Sequence, residues 1–148
     1  MIGRLRYDKV EYPAIRKTKA TKDFSYGFYC FLTEENTRKL PNPFSTAIVN
    51  VYQIKNKNTL RIKQFDDYST EWLDFVMSCR NGATHTYDVV IGPRADDTIY
   101  DYMEAYKEGQ LNEERFFEEM KEKNPIRQIS FHTLQALECI EFVECYEV

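Results

Sequence analysis

Histidine is scarce in this chain of 148 residues, which has two, His85 and His132. The sequence also contains no GxSxG, HExxH, P-loop or GxGxxG pattern, which together with the few histidines argues against hydrolase triads and zinc sites. The four cysteines, Cys30, Cys79, Cys139 and Cys145, form no CxxC pair and no metal-ligand spacing, so reduced thiols and no bound metal are expected. No stretch approaches the roughly 18 uninterrupted apolar residues of a membrane span. The opening Met-Ile-Gly-Arg-Leu-Arg lacks the apolar run of a signal peptide, so the expectation is a cytoplasmic protein without membrane contact. With five Gly and five Pro, and no repeat, low-complexity tract or linker, neither a fibrous nor a disordered chain is indicated, and residues 1–148 read as one domain.

What is present is a globular profile, 43% hydrophobic and 30% charged, long enough to bury roughly two-thirds of its unfolded surface. Eleven Tyr and ten Phe supply rings that suit clefts as well as cores. The net charge of −4 is unevenly spread. Residues 1–22 hold seven Lys or Arg against two acids, whereas residues 96–148 hold five against fourteen. A basic first segment suits phosphates, but a solvated face is the commoner meaning of such a run. An acidic chain is also a poor duplex binder, so nucleic acid is not the expected partner.

Between Phe24 and Thr33 the run FSYGFYCFLT predicts a buried strand, with Gly27 where it bends or admits a close neighbour. EENTRKL begins like a helix but meets Pro41 and Pro43, so a short helix and a loop are expected. Residues 46–54 and 59–65 read as two strands joined by Lys-Asn-Lys-Asn, which predicts a hairpin. Ser69 or Thr70 caps a helix to about Arg80 whose stripe of Trp72, Leu73, Phe75, Val76 and Cys79 reads as core. After Asn81-Gly82, YDVVIG predicts a short strand buried on both faces. Asp96 or Asp97 then caps one helix, stopped by Gly109, and Asn112 caps another that ends by Pro125. RQISFHT reads as a strand, LQAL follows, and IEFVECYEV alternates acids with apolar residues. Strands and helices mix without a βαβ rhythm, so the fold class is α+β.

Four stretches carry a resemblance: KDFSYGFYCF (22–31), AIVNVYQI (47–54), EWLDFVMSCRNGATHTYDVVIGPRADDTIYDY (71–102) and NPIRQISFHTLQAL (124–137). In this order they resemble a bacterial domain-of-unknown-function family (number 3990) placed in the ADP-ribosyltransferase superfamily. The resemblance implies an ADP-ribosyltransferase-like fold of two small, mostly antiparallel sheets that form a cleft, flanked by helices, with NAD across it as substrate. It further implies mono-ADP-ribosyl transfer in a bacterial conflict or toxin setting, an unknown macromolecular acceptor and a small neutralising protein partner.

Three motifs define the implied site. Gly27-Phe28-Tyr29 matches a Gly-apolar-Tyr motif, in which Tyr29 stacks on nicotinamide and Gly27 lets the dinucleotide approach the backbone. Gln128 stands where relatives carry a carboxylate; it can hydrogen-bond a ribose but carries no charge to oppose a developing cation. The remaining motif departs from the pattern, because no histidine precedes Val10-Glu11-Tyr12-Pro13. Arg4 falls near the expected position, where a guanidinium fork suits a pyrophosphate. His132, just after a predicted strand, is the better placed histidine to line the site, and His85 reads as a loop residue at a strand edge. Tyr29 and Gln128 are thus the expected catalytic residues, and Arg4, Gly27, Phe28, Tyr29 and His132 the expected NAD-binding ones. Asp96 and Asp97 read first as helix caps. The missing histidine and neutral Gln128 also fit a catalytically inactive module that keeps the fold and uses its cleft or acidic C-terminal face for binding.

Overall fold

Strong β-formers and four polar helix caps divide the chain into its elements. The computed structural model describes residues 1–16, 22–38, 47–55, 59–121 and 126–148. Among these the strands are β1 (Ile2–Arg6), β2 (Phe28–Phe31), β3 (Ile48–Ile54), β4 (Ile62–Gln64), β5 (Val89–Pro93), β6 (Arg127–Phe131) and β7 (Ile140–Glu147). The helices are α1 (Glu34–Arg38), α2 (Thr70–Arg80), α3 (Asp97–Lys107), α4 (Glu113–Met120) and α5 (Leu134–Leu137). The Ser69, Asp96, Asn112 and Thr133 side chains accept hydrogen bonds from the backbone N–H groups of Trp72, Ile99, Arg115 and Ala136, at 3.1, 2.9, 2.8 and 3.1 Å. Each such cap is worth about 1 kcal/mol. The α+β class follows from this arrangement, and no helix among the described residues is long and apolar enough to cross a membrane.

All seven strands join one mixed sheet in the order β4-β5-β6-β2-β1-β3-β7. The β4–β5 contact is parallel and the others are antiparallel. This differs from the expectation of two separate small sheets. The strands on either side are linked through β1 and β2, which meet at one Cα pair, Gly3 opposite Phe31. At that pair α1 packs closely on β1, since a Cβ on Gly3 would run into the Thr37 side chain on α1.

Side-chain alternation sends β2 and β6 residues to two different cores. Phe28, Cys30, Ile129 and Phe131 pack with Ile2, Tyr52 and Ala136 on one face. On the other, Val90 meets Phe24, Phe65, Trp72, Leu73 and Phe116, with Tyr29 packed at its edge. Trp72 is buried as expected, and its indole N–H donates to the Pro93 carbonyl at 3.0 Å.

Three local expectations are corrected. β3 and β4 form no hairpin: β3 lies between β1 and β7, while β4 runs along β5 at the opposite edge. The Asp88 carboxylate accepts the Arg61 N–H at 2.8 Å, and the Arg127 guanidinium donates to the Phe65 and Asp66 carbonyls at 2.7 Å each, which holds β4 beside β5. Alternation alone does not choose a strand's neighbour. The strand expected over 24–33 begins at Phe28, because Ser25 takes a positive φ of 75° that breaks the extended run. Conversely β1 was not anticipated, and it is an interior strand. Pro41 and Pro43 lie outside the described residues.

Candidate functional site

Around the β1–β2 contact the chain builds a groove of about 320 Å³. Its wall on one side is the segment after β1, hung from β3 by two buried polar side chains. Asn50 accepts the Val10 N–H at 2.8 Å and donates to the Asp8 carbonyl at 3.1 Å, while the Tyr52 hydroxyl donates to the Val10 carbonyl at 2.7 Å. Asn50 and Tyr52 have no solvent exposure, so these part-buried bonds tie the segment to the interior of the sheet.

Arg4, Arg6, Arg16 and Lys22 line the groove, with Asp8 as the single carboxylate among its described lining residues. Arg4 sits deepest. One terminal nitrogen donates to the Tyr29 carbonyl at 2.9 Å, and the guanidinium carbon lies 4.5 Å from the centre of the Phe28 ring. Its Nε is buried without a hydrogen-bond partner. Burial, with the neighbouring Arg6 and Arg16 also acting downward, holds Arg4 below the ordinary arginine value. Lys22 is exposed as a residue, yet desolvation first and Arg4 second lower its ammonium below the usual lysine value. Arg6 approaches Asp8 at 4.0 Å, whereas Arg4, Arg16 and Lys22 form no ion pair with a described carboxylate. Gly27 and Phe28 form the opposite rim. Concentrated positive charge with little internal compensation is the chemistry of an anion site.

Across the sheet lies a polar cluster of different character. Asp23, 6% exposed, accepts four hydrogen bonds: from Arg80 Nε and a terminal Arg80 nitrogen at 2.9 and 2.5 Å, from the Ala95 N–H at 2.8 Å and from the Gln128 amide at 2.9 Å. Tyr29 donates to the Ser25 carbonyl at 2.5 Å and accepts the Phe24 N–H at 2.9 Å. Burial raises the Tyr29 phenol far above its ordinary value, so it is a neutral donor. The two histidines complete the cluster. Tyr87 N–H donates to His85 Nδ1 at 3.1 Å, so Nε2 carries the proton that meets the Phe24 carbonyl at 2.8 Å. His132 faces the Tyr26 carbonyl through Nδ1 and the Ser130 hydroxyl through Nε2, both at 2.7 Å, which fixes the Nδ1–H form with Ser130 donating. The rings are 4.4 Å apart, and burial pushes His132 down to about 4.

The residues expected to form one site are therefore divided. Arg4, Gly27 and Phe28 line the groove. Tyr29 and Gln128 come close together, since Tyr29 lies opposite Ser130 and Phe31 opposite Gln128 on neighbouring strands. Their side chains, however, occupy the helix-covered face and are committed to Ser25 and Asp23. His132 stays with them, 6.0 Å from the Tyr29 ring. Gly27 has a local reason to be glycine, because an added Cβ would lie 2.7 Å from His132 Nδ1 and 2.9 Å from the Phe131 carbonyl oxygen. Asp96 is a helix cap, as read. Sequence reasoning did not single out Arg6, Arg16, Lys22 or the Asp23 hub. The excess of cations over residues 1–22 was the available signal for the groove, and its commoner reading as a solvated face concealed it.

Fold and site together define an α+β domain with a cationic groove beside the meeting of its two central strands. The chain belongs to the family described as Protein of unknown function (DUF3990), whose model matches residues 6–142 and so spans all four of the stretches that carried the resemblance. No curated protein and no solved structure gives a significant match.

Proposed function

We propose that the groove binds an anionic dinucleotide of the NAD class and that the chain is an ADP-ribosyltransferase-like protein. The observation that carries this reading is the four-cation groove at the place where β1 and β2 meet by one residue pair, with Arg4 held over Phe28 and its Nε unpartnered. The brevity of that contact supports the reading of the sheet as two halves flanking a cleft. Guanidinium forks and backbone access at Gly27 suit a pyrophosphate. In transfer, the bond from the ribose anomeric carbon to nicotinamide breaks, nicotinamide leaves, and a nucleophile of the macromolecular acceptor takes its place and loses a proton. For Gln128 to hold the ribose in that step, its amide must leave Asp23, and for Tyr29 to stack on nicotinamide its ring must leave the interior.

That requirement favours a second reading, a module that binds the dinucleotide without turning it over. A thermal-shift titration tests the binding both readings share. NAD at about 100 times its dissociation constant adds roughly 2.7 kcal/mol of stability to a protein that binds it. The wild type should show this shift and Arg4→Gln should lose most of it; no shift in the wild type at millimolar NAD would refute the proposal. Nicotinamide release then separates the two readings, since release abolished by Gln128→Ala in a still-folded protein supports the enzyme and absence of release supports the module.

A further inference from the structure

The groove carries more positive charge than NAD can use. Among the described residues four cations face one carboxylate, and the Arg6–Asp8 contact leaves Arg4, Arg16 and Lys22 without an ion pair to a described carboxylate. NAD offers two phosphate charges, and its nicotinamide cation offsets one of them. A dinucleotide with a phosphate monoester on its adenosine ribose adds about 1.5 to 2 negative charges at neutral pH. We propose that the groove is selective for the 2′-phosphorylated dinucleotide, NADP, over NAD; this inference rests on the dinucleotide-binding reading above.

The cations differ in what they can still do. Arg4 is fixed between the Tyr29 carbonyl and the Phe28 ring and lies deep. It is placed for a group that enters far into the groove, as a pyrophosphate does. Arg16 and Lys22 are exposed residues on the groove wall with no bond to a described carboxylate, so they remain for a further phosphate. Arg16 acts on Arg4, lowering its affinity for a proton, and Arg4 and Arg6 act in the same sense on Lys22 against the opposing charge of Asp23. The groups are thus close enough to repel one another, and a ligand with three negative charges relieves this repulsion more than a ligand with one. Tyr12, 83% exposed, also lines the groove and offers a flat face to a base.

Isothermal titration of the full chain with NAD and with NADP, at about 50 mM and about 300 mM salt, tests the idea. One charge-assisted phosphate contact is worth about a tenfold change in dissociation constant. NADP is expected to bind at least tenfold more tightly at the lower salt, with the gap narrowing at the higher. Arg16→Ala and Lys22→Ala alter exposed residues; both dinucleotides are expected to bind less tightly to them, NADP losing severalfold more than NAD. Equal affinity for the two dinucleotides, or equal losses for both in the variants, overturns the selectivity and leaves dinucleotide binding standing. Binding of neither overturns both. A short single-stranded oligonucleotide that binds more tightly than NADP overturns the selectivity in favour of a nucleic-acid ligand.

Discussion

Replacing Asp23 by Asn tests how the interior of the molecule holds its Arg80 and Gln128 side chains. The carboxylate accepts four hydrogen bonds with both oxygens in use, two from Arg80 on α2, one from the backbone of Ala95 and one from Gln128 on β6. An amide keeps a single accepting oxygen and turns an N–H₂ group toward donors. If its oxygen faces Arg80, the amide nitrogen opposes the Ala95 N–H and the Gln128 amide; in the reverse orientation it opposes the guanidinium. Arg80 also loses the charge that balances it at 23% side-chain exposure. Removing one partner of a buried ion pair costs about 3 to 5 kcal/mol, and partial solvent access at Arg80 places the expected loss near the lower figure. For a domain of this size, that corresponds to a fall in Tm of roughly 6 to 12 °C. Urea unfolding of wild type, Asp23→Asn, Arg80→Met and the double variant measures it, with a coupling energy of at least about 1 kcal/mol expected between the two sites. A single-variant loss within about 1 kcal/mol, or additive losses, would show that the four-bond carboxylate is not a structural hub.

Other perturbations have definite signs. His132 has a folded pKa of about 4 against 6.5 when unconstrained, so the unfolded chain binds more protons between those values. Its contribution, at most about 3 kcal/mol, is fully present above pH 6.5 and is lost as pH falls toward 4; in His132→Gln, urea midpoints should vary less across that window, and an unchanged profile would refute the assignment. Gly27→Ala must displace the His132 ring or the Phe131 carbonyl and should destabilise by about 1 to 3 kcal/mol, with a neutral result contradicting the packing. Ser25→Gly relieves a positive φ of 75° and should stabilise by up to about 1 kcal/mol, whereas a clear loss would mean that the Ser25 hydroxyl makes up for the strain.

Capping chemistry made the helices legible in the sequence. Ser69, Asp96 and Asn112 start α2, α3 and α4 as their side chains predict, and the Trp72 stripe is core. Strand order was not legible, because alternation reports which face is buried and is silent about neighbours; the hairpin expected between β3 and β4 failed for this reason. β1 escaped notice because Ile-Gly-Arg-Leu-Arg carries little β signal, and its place inside the sheet is decided by pairing with β3 over five residues. Arg4, Gly27 and Phe28, named from motif positions, line the groove. That Tyr29 faces away from Phe28 follows from strand alternation, whereas the placement of Gln128 on the Tyr29 face could not be read, since it depends on the β2–β6 register and on Asp23 capturing the amide.

The most direct test of the groove as the dinucleotide site is to map backbone amide chemical shifts of the ¹⁵N-labelled chain during titration with NAD and NADP. The account predicts that the largest changes fall on Arg4, Arg6, Gly27 and Phe28, with smaller ones at Asp23, Gln128 and Ser130 across the sheet. Changes concentrated on α3 and α4, or no changes at saturating dinucleotide, would contradict it.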